Sequence, residues 1–193
     1  MFREFDLIRE SGWILSSEGV KDWAVPHYHI GSNKELPAWG ATAPFWTVPL
    51  QHLVYHDALV SAWWEGDSYD WARQSGGHAV EQSLLDLLYA DPALIFPVGR
   101  QYYFKPGTTE SGVDERDIDI EQVQDAARRA VTVARHFERL GLEEMLEHRF
   151  LSPDGAVQEI TFSSGTRVAV NFGTEPHSLG SGNILAPKGF AVL

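Results

Sequence analysis

Cysteine is absent from all 193 residues. That removes disulfide frameworks, thiolate metal ligation and cysteine nucleophiles together. Positive charge is also scarce, with 15 Lys and Arg against 27 Asp and Glu and a formal net charge of -12. A nucleic-acid backbone or an anionic membrane demands clustered Lys and Arg. The balance therefore excludes both as partners and favours a neutral ligand. No window approaches the roughly 18 consecutive apolar residues of a membrane span. The opening MFREFDLIRE alternates charged with apolar side chains, unlike the unbroken apolar core of an export signal, so a cytoplasmic location is expected. A Gly-x-Ser-x-Gly elbow and a glycine-rich phosphate loop opening a helix are missing too, which sets aside serine-hydrolase and phosphate-cradling chemistry.

What is present suits one globular domain, or one domain with a small appendage: 44% of the residues are hydrophobic and 22% charged. All seven tryptophans fall between Trp13 and Trp71, so the first third is chemically distinct. Phe2 to Arg9 has an amphipathic helical pattern, with Gly12 placed to follow its end before a strand WIL. The segment His52 to Trp64 reads as a buried strand continuing into a second element, and ALIFPV, around Ile95, as another strand. Helices are expected from His78 to Asp91-Pro92 and from Ile120 to Leu140. The second should bury a stripe of Ile120, Val123, Ala127, Ala130, Ala134 and Phe137, with Gly141 after its last turn. Alternating strands and helices of these lengths imply parallel pairing.

After Met145 the pattern becomes short strands: AVQEITF, the turn SSG, TRVAVNF, and finally GFAVL. Arg167, Ala169 and Asn171 alternate with Val168, Val170 and Phe172, the period of two of a half-buried antiparallel strand. Such a short β segment is expected to rest its apolar face on the preceding α/β body. The division is therefore an α/β segment over residues 1–142 and an antiparallel β domain over 143–193.

Glu18, in GWILSSEGVKDW, lies just past a candidate strand. Enzymes built on parallel α/β barrels place reacting groups at that end of a strand. Capping of a turn, or pairing with Lys21, is the plain structural alternative. The segment YHDALVSAWWEGDSYDW interleaves His56, Asp57, Glu65, Asp67 and Asp70 with Tyr55, Trp63, Trp64, Tyr69 and Trp71. Aromatic faces stack on the C–H faces of pyranose rings while carboxylates and imidazoles hydrogen-bond the hydroxyls, so this mixture suits a sugar pocket, with an aromatic core rimmed by solvated acids as the alternative. His27 and His29, with His52 and His56, raise a metal reading. A His-x-His pair with no defined third ligand is a weak signal, and no metal or other cofactor is expected.

In one continuous order, SSEGVKDWAVP, VPLQHLVYHDALVSAWWEGDS and the tail HRFLSPDGAVQEITFSSGTRVAVNFG to ILAPKGFAVL resemble the C-terminal part of large retaining glycoside hydrolases related to the endo-α-N-acetylgalactosaminidases and α-N-acetylgalactosaminidases. The resemblance implies the last strands and helices of a (β/α) barrel, followed by a small antiparallel β-sandwich-like domain. It implies that Glu18 is the general acid/base and that Trp23, His56, Asp57, Trp64 and Asp67 lie in segments lining the sugar site. The family's nucleophilic aspartate belongs to an earlier barrel strand with no counterpart between Met1 and Gly12. With only three candidate barrel strands, around Trp13, Val54 and Ile95, the implied state is an incomplete barrel, truncated or completed by another chain or copy.

Retaining hydrolysis would need Glu18 to protonate the glycosidic oxygen while a second carboxylate about 5 to 5.5 Å away attacks the anomeric carbon. Partial burial against Trp13 or Trp23 would help Glu18 hold that proton. A chain lacking the second carboxylate could instead be a non-catalytic carbohydrate-binding or assembly subunit, and a metal hydrolase built on His27 and His29 is a third reading.

Overall fold

A computed structural model of the protein describes residues 2–17, 19–31, 47–62, 79–93, 120–180 and 182–193. Helix α1, Phe2–Glu10, carries Glu4 in its first turn and Arg9 in its last, as the helix dipole favours. Its end is fixed by Gly12 at φ 79°, whose N–H donates to the Arg9 carbonyl at 2.9 Å. Phe5 turns inward against the rings of His27 and Tyr28, with centroids 5.6 and 5.5 Å away.

Three short parallel strands follow: β1, Ser16–Ser17; β2, Ile30–Gly31; and β3, Val60–Ser61. Ser16, Ile30 and Val60 are level across this sheet, and so are Ser17, Gly31 and Ser61. A 3-10 helix, Asp22–His27, lies between β1 and β2, and helix α2, Leu50–Tyr55, lies between β2 and β3. Val20, Ala24, Val25 and Leu59 form a small core beside them.

Two sequence expectations fail at this point. The residues around Val54 are helical, and the strand follows four residues after His56; Trp13 to Leu15 precede β1 and form no strand. In both places an apolar run had suggested a strand, and such runs do not separate a buried strand from a short helix. The candidate strand around Ile95 lies outside the described residues.

Helix α3, Ala79–Tyr89, buries Leu84, Leu85, Leu87, Leu88 and Tyr89. It ends with Ala90 at φ 51° and an Asp91 N–H bond back to the Asp86 carbonyl at 3.0 Å. That is a Schellman closure in which alanine takes the place usually given to glycine. Helix α4 spans Ile120–Leu140, the bounds read from the sequence. Its buried face differs from the expected stripe: Val133, His136 and Leu140 are buried, whereas Ala127 and Ala134 are exposed. The larger aliphatic groups claim the core because they bury more apolar area than alanine. Gly141 is required by close approach, since a Cβ there would lie 2.2 Å from the Phe137 ring.

Beyond it, β4 (Met145–Phe150), β5 (Val157–Phe162), β6 (Arg167–Asn171) and β9 (Phe190–Val192) form a 4-stranded antiparallel sheet in the order β4-β5-β6-β9. The SSG turn is a tight hairpin: the Phe162 N–H donates to the Thr166 carbonyl at 2.9 Å and Gly165 sits at φ 83°. One face of the sheet, with Ile160, Phe162, Val168, Val170 and Phe172, joins Leu84, Leu85, Leu88, Leu140 and Met145 in the main core. Residues of the opposite face, Val157 and Ala169, meet Leu185 of a second hairpin, β7 (His177–Gly180) with β8 (Asn183–Leu185). Strand β6 is therefore covered on both sides, and the half-buried alternation expected of it is corrected: Ala169 and Asn171 are as buried as Val168 and Val170. The architecture is a mixture of helices and strands, with a 3-stranded parallel sheet preceding the antiparallel ones.

Candidate functional site

Parallel strands gather loop residues at their C-terminal ends, and Ser17, Gly31 and Ser61 occupy those ends here. The ladder is short but regular: His29 N–H to Leu15 O is 3.0 Å, Val60 N–H to His29 O is 3.0 Å, and Ala62 N–H to Gly31 O is 2.9 Å. Ser61 and Gly31 are buried, while the Ser17 hydroxyl reaches the Gly19 carbonyl at 3.3 Å. In sequence, Glu18 directly follows β1, and Trp64 and Asp67 come soon after β3. All three lie outside the described residues.

The other expected site residues are placed differently from one another. Trp23, in the 3-10 helix, is 54% exposed. Asp57 is exposed in the turn after α2. His56, beside it in sequence, is 4% exposed, with Nδ1 2.5 Å from the Glu143 carbonyl and Nε2 2.7 Å from the Tyr89 carbonyl. The structure thus brings His56 to the junction of α2, α3 and the antiparallel sheet, while Asp57 stays at the surface. Trp13 is 70% exposed.

His27 and His29 are occupied separately. The Nδ1 atom of His27 lies 3.5 Å from an Asp6 carboxylate oxygen. The Nδ1 atom of His29 accepts the Leu15 N–H at 3.1 Å, which fixes its ring orientation. Among the described residues, no three His, Asp or Glu side chains converge on a common metal position, and no helix is long and apolar enough to cross a membrane.

One polar pair was invisible in the sequence. His52 Nε2 and Asp91 Oδ2 meet at 3.0 Å in the interior, 39 residues apart. An amphipathic pattern would mark His52 only as one polar residue in an apolar run. Two further histidines, His136 and His148, have their pKa values pushed below the ordinary histidine range, mainly by burial. In His148 a hydrogen bond to Gln158 works against that shift.

No family model and no curated protein matches the chain. Solved structures do. The ligand-free alpha-N-acetylgalactosaminidase NagBb from Bifidobacterium bifidum superposes with a TM-score of 0.58 at 25% identity, over 87% of this chain and 23% of that one. Its GalNAc complex gives 0.55 at 24% identity, over 87% and 24%. Its quadruple mutant gives 0.55 at 23%, over 87% and 23%. The chain spans about a quarter of the length of these structures, and over that span it is similar in fold to part of a glycoside hydrolase.

Proposed function

We propose that this chain is the C-terminal portion of a retaining glycoside hydrolase acting on α-linked galactosamine or galactose-type sugars. The likeness to an alpha-N-acetylgalactosaminidase over 87% of the chain carries the reading. It is joined by the sequence position of Glu18, one residue after a parallel strand. In this reading the described parallel strands are the last part of a (β/α) barrel, Glu18 is the general acid/base, and the attacking carboxylate comes from outside these residues. Glu18 gives its proton to the leaving oxygen, then takes one from the water that releases the sugar. Trp23, Asp57, Trp64 and Asp67 contribute stacking and hydroxyl contacts, for which the exposed Trp23 indole is suited. His56 belongs to the same segment as Asp57, its ring nitrogens lying against the Glu143 and Tyr89 carbonyls. The carbohydrate partner follows from the same likeness, one of the matched structures being a GalNAc complex.

The decisive measurement is hydrolysis of a chromogenic α-N-acetylgalactosaminide by the enzyme containing this chain. Glu18→Gln is expected to lower kcat by about 10²- to 10⁴-fold, the usual worth of general acid/base catalysis, while sugar affinity is retained. Normal turnover by that variant would remove Glu18 from the mechanism.

A second reading is a non-catalytic carbohydrate-binding or assembly subunit, for which the exposed Trp23 indole offers a stacking face. It predicts sugar binding without turnover by the isolated 193-residue chain. Hydrolysis by that chain alone would defeat it.

A further inference from the structure

The two edges of the antiparallel sheet, β4 and β9, are built differently. An open edge offers unpaired N–H and C=O groups to another chain, and proteins blunt it with charge, proline or a bulge. Edge β4 is blunted in this way: Glu147 and Arg149 stand exposed on it, and its register shifts between Met145 and Glu147. Edge β9 is not. Phe190, Ala191, Val192 and the following Leu193 include no charge and no proline, and their pairing with β6 runs without a shift. Arg167 and Leu193 exchange both hydrogen bonds, at 3.2 and 2.8 Å, and the Asn171 N–H donates to the Gly189 carbonyl at 2.9 Å. Antiparallel bonding alternates along a strand, so Gly189, Ala191 and Leu193 turn their polar groups toward β6. Phe190 and Val192 turn theirs outward, where no described strand meets them. Their side chains lie level with Val170 and Val168 of the main core, yet stay 39% and 41% exposed.

We infer that β9 is an association edge whose occupant is the same strand of a second copy of this chain, running antiparallel across a two-fold axis at Ala191. The strand is complementary to itself. Phe190 of one copy then faces Val192 of the other, and each such pair exchanges both N–H···O bonds through its outward groups. Ala191 meets its own counterpart as the non-hydrogen-bonded pair, where Cα atoms approach to about 4.5 Å, and its methyl group is small enough for that. An aromatic ring beside a β-branched side chain is a favourable cross-strand pair, so Phe190 and Val192 of the two copies form one apolar row. Charge selects the same place. Each copy carries a formal net charge of -12, so two copies repel one another over most of their surface. The strand itself is neutral, and the charges next to it in chain and ladder, Lys188 before it and Arg167 opposite Leu193, are not part of the acid excess. A strand of 3 residues buries less than the roughly 1,200 Å² at which stable interfaces begin, so the dimer is transient and forms at high protein concentration.

Two measurements on the full 193-residue chain test the edge. Sedimentation across a wide range of concentration should show a monomer–dimer equilibrium that tightens with added salt, because screening weakens the repulsion between two acidic chains. Val192→Pro removes an outward N–H and no bond to β6, at a position where an edge strand accepts proline. It should weaken the dimer by about tenfold or more, since two-fold symmetry loses the hydrogen bond twice. Amide exchange in the wild type locates the contact without any substitution. The Phe190 and Val192 amides should gain protection as concentration rises, while the Ala191 amide, turned toward β6, is protected throughout. A monomer at every concentration, association that Val192→Pro leaves intact, or outward amides whose exchange ignores concentration would each overturn the inference. Species that grow past the dimer would mean head-to-tail stacking of β9 on a different edge and would overturn the two-fold equally. If Val192→Pro does not fold, amide exchange decides alone.

Discussion

The two sheets of this molecule solve the same problem with unequal means. Strands β1 to β3 are two residues long each, and their adjoining core consists of Val20, Ala24, Val25 and Leu59. Strands β4 to β6 are five or six residues long and share a core with α3, whose centre is Phe162, Ile160 and Leu88. Antiparallel neighbours are joined by tight turns, so most of their hydrogen bonds close locally. Parallel neighbours need a long crossover before the first bond forms. The antiparallel side therefore closes most of its hydrogen bonds between near neighbours and buries one face on α3 and α4, whereas the parallel side depends on its longer connections. Exposed Trp13, Ile14, Leu50 and Val54 on the parallel side agree with that.

Truncating one core side chain in each region gives the largest expected effect. Phe162→Ala removes a fully buried ring and should cost about 3 to 5 kcal/mol, seen as a lower urea midpoint and faster exchange of amides throughout the chain. Leu59→Ala should speed exchange at Val60 and Ala62 while leaving Ile160 and Val168 protected, because its core is small and local. Equal acceleration everywhere would show that the two regions unfold as one unit and that the contrast is only geometric.

This contrast also explains what the sequence made legible. The bounds of α4 and the β5–β6 hairpin could be read from it, since helical periodicity, the Gly141 that follows the last turn and the SSG turn all marked them. The parallel region was misread at Val54 and at Trp13. Its short strands carry too few residues to show a period, and the stretch from Leu53 to Leu59, apolar but for His56 and Asp57, serves a helix and a turn before the strand begins. Of the candidate site, Glu18 follows β1 in sequence although the strand was expected earlier, at Trp13 to Leu15, whereas the His52–Asp91 pair and the carbonyls around His56 were not accessible from sequence. Contacts between residues 39 and 87 positions apart leave no local trace.

A smaller effect separates the regions by pH. His136 of α4 and His148 of β4 have pKa values lowered chiefly by burial. The unfolded chain then binds protons that the folded one refuses, so their contribution is present above the ordinary histidine value of about 6.5 and is lost as pH falls below it. Replacing His136 with leucine should flatten the acid limb of a Tm-against-pH profile. An unchanged limb would mean that His136 does not carry it.

The smallest expected change in stability comes from Trp13, and its size is informative because it is small. At 70% exposure the indole has little to lose, and Trp13→Ser should move the unfolding free energy by no more than about 0.5 kcal/mol, the ordinary range for surface substitutions. Large exposed apolar side chains favour association, so the same change should lower any self-association seen by sedimentation. If Trp13→Ser instead cost about 2 kcal/mol or more, beyond that surface range, the indole would have to be covered in solution. The parallel region would then possess a second packed layer, and its contrast with the antiparallel domain would shrink to a difference in strand length.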